Sequence, residues 1–303
     1  MLPLSAYREA IHLDEPIRAL TDNDPRSDLE LITTALDGLA GPDSGPLFPA
    51  DAIIDEESLR ETLRYKLVTR EPGPLSPDVS DAIDVLLSRR SAHLGRTTGR
   101  NLMRISEMMP FSDYGSARNV AMWRGDVREL KADAVVNAAM PDLLGCKDPH
   151  HPCIDNYIQG QGGPWIRNDC AIIHEMQGSN EEVGGAKLTR GYRLPARYVL
   201  HTVSPRPVAG NPTDADREAL ARCYTSCLDL AAEKGDIHQV SFCALSTGKN
   251  GFPFDEATHI ALSTVNRWLQ LHGTDVVELV IFNIFEDEDA EGYMRALNNW
   301  IED

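Results

Sequence analysis

Five short apolar segments alternate with longer segments of helical periodicity from residue 119 to the end of the chain. The apolar segments cover residues 119–123, 133–140, 197–204, 239–246 and 278–285. Strands that alternate with helices are typical of α/β domains, in which crossover helices connect the strands of a largely parallel sheet. The alternation therefore predicts an α/β domain in this part of the chain.

The N-terminal third of the chain follows a different pattern, in which amphipathic helices are separated by proline-rich segments. These helices are predicted at residues 27–41, 56–71 and 76–94. The last of them places Val79, Ile83 and Leu86 on one face, which needs a partner to cover it. We expect a helical N-terminal extension at residues 1–110 and the α/β domain at residues 111–303.

The chain carries 29 basic and 47 acidic residues, so its formal net charge is −18. A surface with this charge repels the phosphate backbone of nucleic acids, and direct nucleic-acid binding is not expected. A small anionic ligand is still compatible with this charge, because backbone N–H groups in loops and at helix starts hold phosphate without basic side chains.

No segment has the length and apolarity of a membrane-spanning helix, and the N-terminus lacks the basic start and apolar core of a signal peptide. We therefore expect an intracellular, cytoplasmic protein without a membrane partner, with its six cysteines reduced. Four of them lie in apolar or helical segments and are predicted to be small buried hydrophobic residues: Cys170, Cys223, Cys227 and Cys243.

The other two cysteines lie in a polar loop directly after the apolar segment 133–140. Cys146, His151 and Cys153 fall within eight consecutive positions, and two thiolates with one imidazole suit zinc much better than magnesium or calcium. The loop follows a strand and precedes a helix, where α/β proteins bind ligands. Two alternatives stay open: a structural zinc site completed by a distant cysteine, and a polar loop with two buried thiols.

An ordered series of segments in the α/β region resembles the macrodomain family, and in particular its zinc-containing branch. The segments are GDV at 125–127, DAVVNAA at 133–139, LLGCKDPHHPCIDN at 143–156, GGAKLTRGYRLPARYVLHTVSP at 184–205 and STGKNGFP at 246–253. The resemblance implies a mixed, largely parallel sheet flanked by helices in three layers, preceded by a helical leader. It also implies a pocket for ADP-ribose and a Zn²⁺ ion held by Cys146, His151 and Cys153.

The resemblance further implies ligand-binding roles along that pocket. Asp126 and Val127 are similar to the residues at the adenine end, where the acid accepts a hydrogen bond from the amino group. Asn137 is similar to the asparagine beside the distal ribose, and Leu144 and Gly145 stand in the first phosphate loop. The second phosphate loop comprises Ser246, Thr247, Gly248, Lys249, Asn250, Gly251 and Phe252, the last of which would lie against a ribose.

Each of these residues also has a plain structural interpretation. A Gly-Asp pair ahead of a strand is often a turn, and an asparagine at a strand end often bonds its own backbone. A glycine-rich segment between a strand and a helix is often a simple connection. These alternatives stay open at the level of the sequence.

Asp155 resembles the acid that follows the first loop in hydrolysing macrodomains. A carboxylate within hydrogen-bond reach of a water molecule orients it or removes its proton, so Asp155 and Asn137 are the predicted catalytic residues. The alternative is that Asp155 only caps the helix that begins after the loop.

Some residues depart from the family pattern. Met140 stands where a second asparagine would contact the distal ribose, and a thioether donates no hydrogen bond and accepts one poorly. Gln159 replaces a histidine that is common in the zinc-containing branch, and the Gly-Gly-Pro sequence at 162–164 looks like a loosened helix start. We therefore expect a divergent member with a changed leaving-group pocket.

The function implied by the resemblance is hydrolysis of the N- or O-glycosidic bond that links mono-ADP-ribose to a protein. The partners would be ADP-ribose and a mono-ADP-ribosylated protein, and the chain is expected to act as a monomer. Two alternatives are a reader that binds ADP-ribose without hydrolysis and a deacetylase of O-acetyl-ADP-ribose.

Overall fold

The computed structural model describes residues 1–17, 24–40, 55–94 and 97–301. The helices in these ranges are α1 (Leu4–Tyr7), α2 (Asp28–Leu39), α3 (Glu56–Thr69), α4 (Pro77–His93), α5 (Ile105–Met108), α6 (Ile154–Gly162), α7 (Pro164–Gln177), α8 (Asp214–Lys234), α9 (Phe254–His272) and α10 (Asp287–Asn298). The strands are β1 (Thr97–Thr98), β2 (Val120–Arg124), β3 (Leu130–Lys131), β4 (Ala134–Ala138), β5 (Ala186–Arg190), β6 (Tyr198–Thr202), β7 (Gln239–Phe242) and β8 (Leu279–Ile284).

Six of the strands form one sheet in the order β2-β8-β7-β4-β6-β5, and β1 and β3 form a separate parallel pair. All neighbours in the large sheet are parallel except β5 and β6. The predicted α/β fold with a mixed, largely parallel sheet is therefore confirmed. Helices α6 and α7 pack together beside β4 and β5, and α8, α9 and α10 form a second packed group.

The five apolar segments each contain one strand of the sheet, but strand β5 has no counterpart among them. Its sequence carries Lys187 at a position that is only 1% exposed, so the buried strand does not read as an apolar run. The ammonium group of Lys187 forms an ion pair with the equally buried carboxylate of Glu181. Because a charged residue lies in the buried strand, a search for apolar segments does not detect β5.

The helical extension has a hydrophobic core of its own, built from α2, α3 and α4. The predicted face of α4 is buried, with Val79, Ile83 and Leu86 at most 6% exposed. Trp165 of α7 packs against this core from the α/β domain. Helical order in the extension is thus confirmed, and its apolar stripes cover one another.

The first residues of the chain pack with the sheet and not with the extension helices. Leu4, Tyr7, Ile11 and Leu13 are at most 1% exposed and belong to the large core of the α/β domain. The hydroxyl of Tyr7 accepts a hydrogen bond of 2.9 Å from the backbone N–H of Leu188 in β5. The division of the chain at residue 110 stays a prediction.

The loop 139–153, which carries the three predicted zinc ligands, is called the metal loop below. The helix predicted after it is two helices, not one. Gly163 separates α6 from α7 with a φ of +93°, which a residue with a Cβ rarely adopts, and Pro164 opens α7 at its first position. The Gly-Gly-Pro sequence is therefore a junction between two helices and not a loosened helix start.

Among the described residues, no helix combines the length and the apolar character needed to cross a bilayer.

Arg167 of α7 joins the extension to the α/β domain. Its guanidinium group is 3% exposed and donates to the carbonyl oxygens of Leu67, Val68 and Arg70, at the C-terminal end of α3. Helix ends leave such carbonyls without partners within the helix, so one side chain satisfies several of them. A Cβ on Gly145 would lie 2.7 Å from the same guanidinium, which places Arg167 against the loop after β4.

We predict that Arg167→Met lowers the free energy of unfolding by about 2–3 kcal/mol, because several helix-end carbonyls lose their only side-chain partner. Arg118→Met, at an exposed position, should change it by less than about 0.5 kcal/mol. Urea denaturation followed by circular dichroism measures both. Equal stability of the two variants would show that the guanidinium does not hold α3 in place.

Candidate functional site

The segments with predicted ligand-binding roles emerge at one edge of the sheet. Strands β2, β4 and β7 run in the same direction, as the parallel pairings of the central strands require. Asp126 follows β2, the loop 139–153 follows β4, and the loop 243–253 follows β7. Because β4 and β7 are neighbours, the last two loops lie side by side at the carboxyl edge, where parallel sheets bind ligands.

The loop after β4 brings Cys146, His151 and Cys153 together. Their ligand atoms all lie within 4.8 Å of one another, and the Sγ of Cys146 is 3.6 Å from the Nδ1 of His151. The side-chain amide of Asn156 donates to the carbonyls of Asp148 and His151, at 2.7 and 2.8 Å, and so fastens the loop to the first turn of α6.

These three donors fit a zinc ion. In the described ranges no fourth Cys, His, Asp or Glu joins the group, and the other cysteines are not part of it. Three protein donors leave one position of a tetrahedral site for water or substrate. Burial raises the pKa of Cys153 to about 12, so this thiol is protonated unless a cation favours its thiolate.

Asp155 and Asn137 form a buried pair beside this cluster. The side-chain nitrogen of Asn137 donates to Oδ1 of Asp155 at 2.8 Å, and the backbone N–H of Cys146 donates to Oδ2. Burial is the main cause of a raised pKa at Asp155. The N-cap position of α6 is Cys153, and Asp155 bonds the loop and β4, so helix capping does not describe its contacts.

His201 of β6 completes the network and was not among the predicted site residues. Its Nδ1 lies 3.2 Å from the side-chain nitrogen of Asn137, and its Nε2 lies 2.9 Å from the hydroxyl of Thr189. That hydroxyl donates to the carbonyl of Arg190, so it accepts from Nε2–H, and Nδ1 accepts from Asn137. Burial lowers the pKa of His201 to about 3 and keeps the ring neutral.

The hydrogen bonds to Asp155 and His201 determine which side-chain atom of Asn137 is the nitrogen and which is the oxygen. Both hydrogens of its side-chain nitrogen are used, one by Asp155 and one by His201. Its Oδ1 is buried and has no hydrogen-bond partner among the described residues. The atom of Asn137 that lacks a hydrogen bond is therefore an acceptor, which pairs with a donor such as a hydroxyl group. Asn137 does not bond its own backbone, contrary to the plain alternative.

The loop after β7 leaves a row of backbone donors free. The carbonyl of Ser246, which has a φ of +65°, accepts from the N–H of Phe252 at 2.9 Å, and its hydroxyl donates to Pro205. Asn250 donates to the hydroxyl of Ser204 at 3.1 Å. The backbone N–H groups of Thr247, Gly248, Lys249 and Asn250 have no partner within the described part of the chain. Such a row can bind an anion.

The loop after β4 also has the backbone geometry of a tight turn. Leu143 and Gly145 have φ values of +61° and +88°, and the N–H of Leu144 donates to the carboxylate of Asp142 at 3.0 Å. The close approach of Arg167 leaves no room for a Cβ at Gly145. A glycine is therefore required at this position for two independent reasons.

Comparison with known proteins identifies the family. The family model described as "Macro domain" matches residues 136–261, which include the metal loop, the Asn137–Asp155 pair and the loop after β7. A relative named "Protein-ADP-ribose hydrolase" from Staphylococcus aureus (strain Mu50) is 41% identical over 71% of this chain and 78% of its own length. A relative of the same name from Treponema medium is 36% identical over 80% and 89%. The chain belongs to the macro domain family.

Solved structures agree with this assignment. The macro domain of Trypanosoma brucei in complex with ADP-ribose has a TM-score of 0.58 at 30% identity, over 77% of this chain and 94% of its own. The macro domain of Oceanobacillus iheyensis with bound MES has a TM-score of 0.53 at 33% identity, over 60% and 92%. The helical extension lies before the residues that the family model matches.

The segment predicted to contact adenine has a simple local structure. Asp126 accepts from the backbone N–H of Arg128 at 2.9 Å and forms an ion pair with its guanidinium, which also lies 4.7 Å above the ring of Tyr157. Val127 is 5% exposed. These contacts are those of a turn, and the contacts of Asp126 and Val127 with adenine stay predictions.

Phe252 and the departures from the family pattern have clear positions in this macro domain. Phe252 is 2% exposed in the main core, so its contact with a ribose stays a prediction. Met140 is 49% exposed at the end of β4, close in sequence to Asn137. Gln159 is buried in α6, where its side chain faces Asp155 and lowers the pKa of that carboxyl group.

We predict that His201→Gln makes stability less dependent on pH. In the wild type, the unfolded chain binds a proton below the usual histidine pKa of 6.5, whereas the folded chain does not until the pH approaches 3. The stability contributed by the neutral ring is complete above pH 6.5 and is lost as the pH falls from 6.5 towards 3. Glutamine can keep both hydrogen bonds without titrating.

Between pH 7.5 and 4.5 the wild type should lose about 2–3 kcal/mol more unfolding free energy than His201→Gln. Urea denaturation at a series of pH values measures this difference. Parallel curves for the two proteins would mean that the ring is not held neutral in the folded state.

Proposed function

We propose that the protein is a hydrolase that releases mono-ADP-ribose from modified proteins. The observation that carries the proposal is the buried pair of Asn137 and Asp155 beside a half-buried metal-type cluster, at the carboxyl edge of a macro domain sheet. Relatives that are 36–41% identical and are named protein-ADP-ribose hydrolases support it.

The two loops would hold the diphosphate of the ligand. The free backbone N–H groups of residues 247–250 supply donors without added positive charge, which matters in a chain of net charge −18. Leu144 and Gly145 would approach the other side of the diphosphate. Binding the remote part of the ligand then fixes the position of the distal ribose.

Asn137 and Asp155 would act at the distal ribose. The free Oδ1 of Asn137 accepts a hydrogen bond from a ribose hydroxyl and so positions the ring. Water attacks C1 of the ribose: its oxygen bonds to C1 as the bond from C1 to the protein side chain breaks. Asp155 takes a proton from the water and passes it to the departing side chain, which leaves with the electron pair of the broken bond. Its raised pKa makes this carboxylate a better base than an exposed one.

Cys146, His151 and Cys153 would hold a zinc ion next to this pair. When bound, zinc supplies Lewis acidity that withdraws charge from an oxygen atom at its open position. Asp155 accepts the backbone N–H of Cys146, so the carboxylate and the metal loop have one common anchor. The cluster therefore belongs to the same site as the carboxylate.

A second candidate function is binding of ADP-ribose without hydrolysis. Met140 favours it, because an exposed thioether stands where a second asparagine would contact the ribose. Asp155 favours hydrolysis, because burying a carboxylate costs free energy that simple binding of the ligand does not require. A third candidate is deacetylation of O-acetyl-ADP-ribose in the same pocket.

We predict that Asp155→Ala slows release of ADP-ribose from a mono-ADP-ribosylated protein by about 10²-fold or more, because the general base is lost. Its affinity for free ADP-ribose, measured by calorimetry, should fall much less than the rate of release, because the backbone donors of the loop after β7 do not depend on Asp155. Asp275→Ala, which removes one exposed carboxylate, should match the wild type in both measurements.

The same assay separates the three candidates. ADP-ribose binding by the wild type without any release would support the non-catalytic function. Release of acetate from O-acetyl-ADP-ribose, with none from the modified protein, would support the deacetylase. Undiminished release by Asp155→Ala would contradict the assigned role of Asp155.

We predict that the purified wild type contains about one zinc per chain and that Cys153→Ala contains almost none, because two remaining donors do not hold the ion. Cys243→Ala removes a cysteine outside the cluster and should keep the zinc. Inductively coupled plasma mass spectrometry of the dialysed proteins measures the zinc content independently of activity. Zinc-free wild-type protein that takes up no added zinc would contradict the metal assignment.

A further inference from the structure

A cavity lies between the extension and α6. Its volume is about 200 Å³, and its walls come from α2, α3 and α4, with Gly160 of α6 on one side. The wall combines aliphatic and guanidinium groups, chiefly those of Leu63, Leu67, Leu87, Arg60, Arg64 and Arg90. A protein with 47 acidic residues thus lines one small cavity with three arginines.

Arg90 differs from the other two arginines because, within the described ranges, no carboxylate or hydrogen-bond acceptor contacts its side chain directly. Arg60 pairs with Asp28 and Glu56, and Arg64 pairs with Glu61. Burial lowers the pKa of Arg90, the neighbouring guanidinium groups lower it further, and the more distant carboxylate of Asp126 raises it. A half-buried cation without a direct anionic contact is unfavourable unless an anion joins it.

Arg60 and Arg64 also retain unused donors. The bonds of Arg60 involve its Nε and one terminal nitrogen, and so do those of Arg64, which also reaches the carbonyl of Pro149 at 3.1 Å. One terminal nitrogen of each guanidinium has no partner in the described part of the chain. A planar oxyanion accepts several such donors at once.

The size of the cavity limits what it can hold. Pockets for drug-sized ligands measure about 300–1,000 Å³, so a cavity of about 200 Å³ is too small for ADP-ribose. It has room for a group the size of one long side chain. The leucines provide an apolar wall for the stem of such a group, and the arginines provide donors for its end.

We propose that this cavity binds a carboxylate carried on an apolar stem, with Arg90 as the main partner of the carboxylate. The carboxylate can come from a free alkanoate or from an acidic side chain of the modified protein. The second source rests on the proposed function. It is favoured by position, because Arg64 bonds Pro149 and the ring of Tyr65 lies 5.4 Å from that of His150, both in the metal loop.

The test uses hexanoate as the probe, with hexan-1-ol as its neutral counterpart and the amide signal of Gly160 as the reporter in NMR titrations. Hexanoate should bind about tenfold more tightly than hexan-1-ol, and Arg90→Gln should weaken hexanoate binding about tenfold. Lys66→Gln removes one positive charge from α3 outside the cavity and should bind hexanoate as the wild type does. Equal affinity for the two probes, or unchanged hexanoate binding in Arg90→Gln, would overturn the proposal.

A second measurement identifies the source of the carboxylate. Release from a mono-ADP-ribosylated protein should fall about tenfold in Arg90→Gln, with affinity for free ADP-ribose unchanged, if the acidic side chain is on the substrate. Unchanged release together with Arg90-dependent hexanoate binding would assign the cavity to a free alkanoate. The hexanoate titration needs no enzymatic activity, so its result is independent of whether the protein is a hydrolase.

Discussion

The buried carboxylate of Asp155 is the contact on which the site depends. It accepts from Asn137 at the end of β4 and from the backbone of Cys146 in the metal loop, and it belongs to the first turn of α6. Three segments are therefore held by one charged group that is only 3% exposed. Burying such a group is costly unless its bonds are made, so the same interactions that stabilise it also fix the geometry of the loop.

Neutral and cationic partners from neighbouring elements support this arrangement. His201 holds the amide of Asn137 in one orientation and leaves its oxygen free. Arg167 lies against Gly145 and bonds the end of α3, so the extension contacts the loop after β4 from behind. The extension therefore supports the loop after β4 and also forms most of the wall of the cavity beside α6. Preorganisation of this kind is what positioning a ligand for reaction requires.

The acidic net charge of the protein bears on which groups are proposed to bind the anionic ligand: backbone N–H groups and not basic side chains. A net charge of −18 opposes long-range attraction of anions, while free N–H groups after β7 attract a phosphate only at short range. Such a surface fits the proposed binding of a small anionic ligand through backbone donors. Two of the three arginines in the cavity between the extension and α6 are also neutralised locally, by Asp28, Glu56 and Glu61. Their charge therefore acts only at short range.

The sequence by itself determined the α/β class, the five apolar strands, the buried face of α4 and the residues gathered at the metal cluster, because these depend on local periodicity and on donors only a few positions apart. Only the tertiary structure decided the role of His201 and Arg167, since Asn137 lies 64 residues from His201 and Arg70 lies 97 residues from Arg167. The burial of Lys187 in β5 was also visible only in the folded structure, where it pairs with the buried carboxylate of Glu181. Long-range pairing changes what a polar residue means, and no local pattern contains that information.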